Sequence, residues 1–247
     1  MSIFPGPTRL YLVRHARPEV HDPPRCRGRT DVGLAPSGIE QAARLGAAFA
    51  GLGLEAVYSS PLHRATATAA PIGAAAGVEV LVRPGLAEID FGAFEDRAFD
   101  EIAASEPEVF GRWMAAPTTV RFPGGESFGE MRERALAVLG EITRRHPGGT
   151  VALVAHGGPI RAILGRLLRI PDRSVFGIHV AHAAATLVEL HGDWPVLRCL
   201  NLPAEGLAAA DRPAPAGAAE LGGAGPPADG AGPSGRPLGD NLGMVAT

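Results

Sequence analysis

Two apolar segments of strand length each run directly into a histidine. Residues 10–13 lead into Arg14 and His15, and residues 151–154 lead through an alanine into His156. In parallel α/β sheets, ligands bind at the carboxyl ends of the strands. Both histidines are therefore expected to face one crevice.

Two further strand-like segments are followed by charged side chains. Residues 56–58 lead through a Ser-Ser-Pro turn to Arg64, and the apolar residues 78–82 are followed by Glu88. If these strands join the same sheet, their carboxyl ends open onto the same crevice. Four loops would then offer two histidines, two arginines and one carboxylate to one place.

This set of side chains suits phosphoryl transfer, in which catalysis is mostly positioning and stabilisation of charge on the phosphoryl oxygens. Arg14 and Arg64 would clamp the oxygens, and His156 would donate a hydrogen bond to them. A neutral His15 imidazole would attack phosphorus to give a phosphohistidine. Glu88 would protonate the leaving alkoxide and then activate the hydrolytic water. We expect no metal and no cofactor.

Helix-like segments lie between the strands and predict the fold class. Four of them have suitable length and patterning: residues 36–52, 61–76, 126–146 and 159–168. Strands alternating with helices predict an α/β fold with a mostly parallel central sheet covered by helices on both faces. Residues 184–190 and 196–200 are predicted to form a hairpin-like edge. We expect one domain over residues 1–206 and a disordered Ala/Gly/Pro-rich tail over residues 207–247.

Composition narrows the function classes. The net charge is −3, and all 23 basic residues are arginine, which excludes P-loop, Schiff-base and general-base lysine chemistry. The charge balance gives no sign of a nucleic-acid partner, and no segment has the length of a membrane span. The two cysteines, Cys26 and Cys199, form no disulfide framework. A cytoplasmic protein is predicted, with its oligomeric state open.

The ordered motifs resemble those of the histidine phosphatase superfamily, the phosphoglycerate mutase-like group. Six segments carry the resemblance, at residues 12–16, 28–42, 59–65, 88–95, 123–127 and 155–161. The resemblance implies a phosphoglycerate mutase-like three-layer fold, with His15 as nucleophile and Glu88 as acid/base. It implies phosphate-binding roles for Arg14, Arg64 and His156. Within the superfamily the motifs are most similar to alpha-ribazole phosphatase-like members.

Departures from the family pattern bear on the choice between phosphatase and mutase. Ala16 replaces the common glycine after the nucleophile, and Arg17 and His21 stand where mutase-like members carry other polar residues. The interval between Glu88 and His156 is also shorter than in mutases. These departures favour a phosphatase, and the resemblance implies alpha-ribazole 5′-phosphate or a sugar or glycerate phosphate as its substrate. A phosphoglycerate mutase-type phosphotransferase is the alternative, followed by a non-catalytic phosphate-binding module.

Several further residues have two interpretations. Thr30 and Gly157 are candidates for phosphate or substrate binding, whereas Thr30 could equally cap local backbone. A second anion site could use arginines at positions 97, 112 and 121, although solvated surface side chains are the simpler interpretation. His179 and His182 are placed on a strand, where their spacing of three puts them on opposite faces and favours structural roles.

Overall fold

A computed structural model of the chain describes residues 6–19 and 23–210. Within these residues, six strands form one sheet: β1 (Thr8–Arg14), β2 (Ala56–Ser59), β3 (Val80–Val82), β4 (Thr150–Ala155), β5 (Ala185–His191) and β6 (Trp194–Leu202). The same described residues form seven α-helices: α1 (Pro36–Phe49), α2 (His63–Ala76), α3 (Phe99–Ser105), α4 (Pro107–Ala115), α5 (Phe128–Arg145), α6 (Gly157–Leu167) and α7 (Leu207–Ala210). In the described ranges, no helix is long and apolar enough to cross a membrane.

The sheet has the order β3-β2-β4-β1-β5-β6, and its first four strands are parallel. β5 runs antiparallel to β1, and β6 antiparallel to β5, so the predicted hairpin forms one edge. Side chains alternate across β1, where Leu10 and Leu12 pack towards α5 and α6 while Tyr11 and Val13 pack towards α1 and α2. The predicted three-layer α/β sandwich is confirmed.

Element boundaries differ from the sequence predictions, most clearly at the start of β3 and at the end of the predicted domain. β3 begins at Val80 rather than residue 78, because Gly77 ends α2 with φ +68° and the Val78 amide donates to the carbonyl of Gly73. The chain continues past residue 206 as α7, where Leu207 is fully buried. The rest of the predicted tail, residues 211–247, lies outside the described residues.

Candidate active site

The register of the sheet brings the two histidines side by side. Arg14, the last residue of β1, pairs with Ala155, the last residue of β4. The residues that follow the two strands, His15 and His156, therefore lie next to each other at the carboxyl edge of the sheet. The His15 amide donates to the carbonyl of Ala155 at 3.0 Å. Both imidazoles are buried, and their ring centroids are 5.0 Å apart. The structure therefore brings these predicted site residues together.

His15 is held as a neutral imidazole with one free nitrogen. Its Nδ1 lies 2.8 Å from the carbonyl oxygen of Ala16, which can only accept, so Nδ1 carries the proton and Nε2 is left unprotonated. Burial, followed by the neighbouring His182 and Arg64, holds the pKa of His15 well below its ordinary 6.5. An unprotonated ring nitrogen is what a nucleophile at phosphorus requires.

Two buried polar atoms at this crevice have no protein partner. Nδ1 of His156 and Nε of Arg14 form no hydrogen bond with any residue that the structure describes. The other nitrogen of His156, Nε2, lies 2.7 Å from the Ser60 hydroxyl, which also accepts from the Leu62 amide. The hydroxyl proton can thus go to Nε2, which leaves an N–H on Nδ1. Buried donors without partners indicate a site for an absent acceptor, such as a phosphoryl oxygen.

Arg64 is almost fully buried and is held by the loop after residue 27. Its guanidinium donates to the carbonyls of Thr30 at 2.9 Å and Gly28 at 2.7 Å. That loop is in turn organised by Glu95, whose carboxylate accepts from the amides of Gly28, Arg29 and Thr30. The Thr30 hydroxyl also donates to Glu95, at 2.6 Å. Thr30 therefore positions Arg64 through its carbonyl, and a direct contact of Thr30 with phosphate stays a prediction.

The carboxylate of Glu88 lies at the start of α6, close to His156. Its carboxylate accepts from the amides of Ile89 at 2.9 Å and Gly158 at 3.1 Å, the latter in the first turn of α6. The backbone of Glu88 is held by Arg134, which donates to its carbonyl at 2.9 Å. Arg134 is itself fixed by two hydrogen bonds to Glu126, at 2.9 and 2.7 Å. The pair of Glu126 and Arg134 therefore connects the segment at residues 123–127 to the backbone of Glu88.

Gly158→Ala is expected to lower kcat about 100-fold while leaving the fold intact. A Cβ at this position would lie 2.2 Å from Oε1 of Glu88 and 2.8 Å from Sδ of Met131, so the carboxylate must move. A displacement of about 1 Å in a catalytic group costs on the order of 10²-fold in rate. Steady-state kinetics and circular dichroism test this. Gly111→Ala is the matched control, because its Cβ would meet nothing within 4 Å, and equal kinetics in both variants would contradict the prediction.

The loop before β5 contacts both Arg14 and His15. His182 Nδ1 lies 3.1 Å from the carbonyl of His15, and the two rings are 4.9 Å apart. Arg14 donates to the carbonyl of Val180 in the same loop. The strand placement of His179 and His182 was wrong, because both precede β5 in an irregular loop that Asn201 holds by two hydrogen bonds. Sequence periodicity carries no signal for this contact.

His182 makes stability dependent on pH. Burial, followed by the charge of Arg14, lowers the pKa of His182 to about 4, whereas an unfolded histidine titrates near ~6.5. Between those pH values the unfolded state binds a proton that the folded state does not, so stability falls as pH drops through this window.

His182→Asn should therefore reduce the acid-side slope of unfolding free energy against pH by up to about 1.4 kcal/mol per pH unit. The asparagine amide can still donate to the His15 carbonyl but does not titrate. Urea unfolding between pH 4 and 7 measures the slope. An unchanged slope would rule out His182 as the titrating group.

The other sequence candidates form surface contacts, are exposed, are buried in the core or fall outside the described residues. Arg121 pairs with Glu130 on the surface, Arg97 donates to Ser105, and Arg112 is exposed on α4. Arg17 is exposed, and His21 falls among the residues that are not described. Cys26 is buried, which raises the pKa of its thiol to about 12. In residues 6–19 and 23–210, no group of three or more His, Cys, Asp or Glu is arranged to hold a metal ion.

Comparisons with known proteins show which family and fold this chain resembles. The family model described as the histidine phosphatase superfamily (branch 1) matches residues 10–203. A metal-independent phosphoserine phosphatase of Arabidopsis thaliana is 33% identical over 189 residues, covering 74% of this chain and 76% of that protein. The alpha-ribazole phosphatase of Shigella flexneri shares the fold, with a TM-score of 0.72 and 24% identity over 78% of this chain and 96% of that one. A mycobacterial glucosyl-3-phosphoglycerate phosphatase, solved with inorganic phosphate, has a TM-score of 0.72 and 27% identity over 80% of this chain and 98% of that one.

Proposed function

We propose that this chain, which belongs to the histidine phosphatase superfamily and is a metal-independent phosphatase, hydrolyses a small phosphomonoester through a phosphohistidine on His15. One observation carries the proposal. The buried, neutral His15 lies beside two buried donors without partners, on Arg14 and His156. A phosphoryl group placed there would receive those two donors and the free Nε2 of His15 together.

The first chemical step forms the phosphoenzyme. The lone pair on Nε2 of His15 attacks phosphorus, an N–P bond forms, and the bond from phosphorus to the ester oxygen breaks. Arg14 and His156 donate to the phosphoryl oxygens, and Arg64 adds positive charge, which stabilises the negative charge in the transition state. The leaving alkoxide takes a proton from the Glu88 carboxylic acid and departs as an alcohol.

The second step regenerates the enzyme. The Glu88 carboxylate removes a proton from water, and the resulting hydroxide attacks phosphorus. The N–P bond breaks, inorganic phosphate is released, and His15 returns to its neutral form. The backbone amides of Ile89 and Gly158, which donate to the Glu88 carboxylate, hold the same group in place for both proton transfers.

Alpha-ribazole 5′-phosphate and sugar or glycerate phosphates are the proposed substrates. The relatives named above act on phosphoserine, alpha-ribazole phosphate and glucosyl-3-phosphoglycerate, all small phosphorylated metabolites. We further propose a cytoplasmic location. The mutase alternative predicts that 3-phosphoglycerate is isomerised and that a bisphosphorylated activator is needed, whereas the phosphatase releases inorganic phosphate without one.

Phosphate release in the presence of a chelator tests the proposed function. We expect activity towards phosphoserine, 3-phosphoglycerate and alpha-ribazole 5′-phosphate to change less than about twofold with EDTA, because Arg14, Arg64 and His156 supply the charge stabilisation that a metal would otherwise give. Loss of activity in EDTA with recovery on adding magnesium would contradict the metal-independent mechanism. Isomerisation of 3-phosphoglycerate without phosphate release would favour the mutase.

A further inference from the structure

We propose that Arg161 binds a second anionic group of the substrate, on the part that does not react. The proposal rests on the proposed function and narrows its substrate class to phosphomonoesters that carry a carboxylate or a second phosphate. Arg161 lies on α6, one turn beyond His156, and has no part in the chemical steps above.

The position of Arg161 is next to the phosphate-binding crevice. The point where a Cβ on Gly157 would lie is 2.8 Å from Nη1 of Arg161 and 3.9 Å from Cζ of Arg14. The two guanidinium groups therefore flank the first residue of α6. The equivalent point on Gly158 is 2.2 Å from the Glu88 carboxylate. Arg161 therefore lies at the edge of the crevice, near both Arg14 and Glu88.

The outer nitrogens of Arg161 are available. Its Nε donates to the carbonyl of Ile178 at 2.8 Å, and its guanidinium lies 5.6 Å from the centroid of the exposed Phe176 ring. These contacts orient the side chain and leave Nη1 and Nη2 with no hydrogen bond to the described residues. No described carboxylate forms an ion pair with it, whereas Arg132, on α5, pairs with Asp172.

Charge balance favours an anion at this position. A phosphomonoester dianion is already matched by the two positive charges of Arg14 and Arg64. Arg161 is partly buried beside them, and burial lowers its pKa, although the charge of Glu88 acts in the opposite sense. A partly desolvated guanidinium without a paired carboxylate is costly, and a planar fork of this kind binds carboxylate or phosphate oxygens with two hydrogen bonds. A substrate that offsets this desolvation cost carries a second anionic group in addition to the phosphate that reacts.

Arg161→Met tests the proposal through substrate selectivity. Three substrates differ in the distal group: 3-phosphoglycerate has a carboxylate, fructose 1,6-bisphosphate a second phosphate, and glycerol 3-phosphate neither. We expect kcat/KM for at least one of the first two to fall about 10- to 100-fold, mainly through KM, since a charged hydrogen bond is lost. The ratio of kcat/KM for that substrate to kcat/KM for glycerol 3-phosphate should fall at least tenfold. The identity of the affected substrate distinguishes a carboxylate from a phosphate.

The ratio separates substrate binding from damage to the site. Displacement of the Ile178 loop would lower activity towards all three substrates equally, and an equal loss would overturn the proposal, as would no loss. Arg44→Met, at an exposed position on α1, is the control and should leave the ratio unchanged. If the wild type releases phosphate in a His15-dependent way from none of these three, nor from phosphoserine or alpha-ribazole 5′-phosphate, the proposed function fails. If it does so and the ratio stays constant in Arg161→Met, only the Arg161 proposal fails.

Discussion

His15→Ala is expected to lower kcat/KM for phosphate release by about 10⁵-fold or more. Removal of a covalent nucleophile from a site that acts as a unit has effects of this order. Among the described residues, the neighbouring histidines offer no substitute, because Nε2 of His156 is hydrogen-bonded to Ser60 and His182 contacts the backbone of His15. The loss should appear in kcat, since the groups that bind phosphate remain.

Phosphate binding distinguishes this prediction from simple unfolding. His15→Ala keeps Arg14, Arg64 and the free Nδ1 of His156, so inorganic phosphate should still bind with an affinity within about tenfold of the wild type. His191→Ala, at the exposed last residue of β5, controls for removal of a histidine. Retention of a tenth or more of wild-type activity in His15→Ala would show that another residue attacks phosphorus.

Glu88→Gln is expected to have an effect that depends on the leaving group. Hydrolysis of glycerol 3-phosphate should fall by about 10²- to 10⁴-fold, because its alkoxide needs a proton as it departs. The phenolate of p-nitrophenyl phosphate leaves without that proton, so the enzyme should still be phosphorylated. Without a base to activate water, turnover should then stop after the first cycle. Rapid mixing should show a burst of p-nitrophenol close to one per active site.

The comparison of glycerol 3-phosphate with p-nitrophenyl phosphate also shows which result would contradict a role of Glu88 in proton transfer. Glu79→Gln, on an exposed position before β3, should behave as the wild type with both substrates. If Glu88→Gln slows both substrates by the same factor and gives no burst, Glu88 has a role in structure or binding rather than in proton transfer. The two amides donate to different oxygens of Glu88, and glutamine has one oxygen, so it can accept from either Ile89 or Gly158. A phosphate affinity equal to that of the wild type would show that the local backbone keeps its position.

The five central residues could be predicted from the sequence because each follows a recognisable element. Arg14, His15 and His156 stand directly at strand ends, and Arg64 and Glu88 follow two more strands within a few residues. The position of a residue at a strand end can be predicted without knowing any loop conformation, because a parallel sheet places the carboxyl ends of its strands at one edge. The structure brings all five to that edge, and the tests above decide their roles.

The supporting residues could not be predicted in this way. His182 contacts the His15 carbonyl and Arg161 contacts the Ile178 carbonyl, and both contacts depend on the irregular segment before β5. The Glu95 carboxylate organises a loop more than sixty positions earlier in the sequence, a relation that no local pattern contains. Periodicity misplaced His182 on a strand because a short apolar segment looks alike in a loop and in an edge strand.

The most direct test of the phosphohistidine mechanism is to trap the intermediate in Glu88→Gln. The variant is mixed with ³²P-labelled p-nitrophenyl phosphate, quenched in denaturant at alkaline pH and digested. Close to one phosphate per chain should be found on the peptide that contains His15, stable to alkali and lost in acid, as expected for an N–P bond. Absence of covalent phosphate despite a burst of p-nitrophenol, or phosphate on a residue other than His15, would contradict the mechanism.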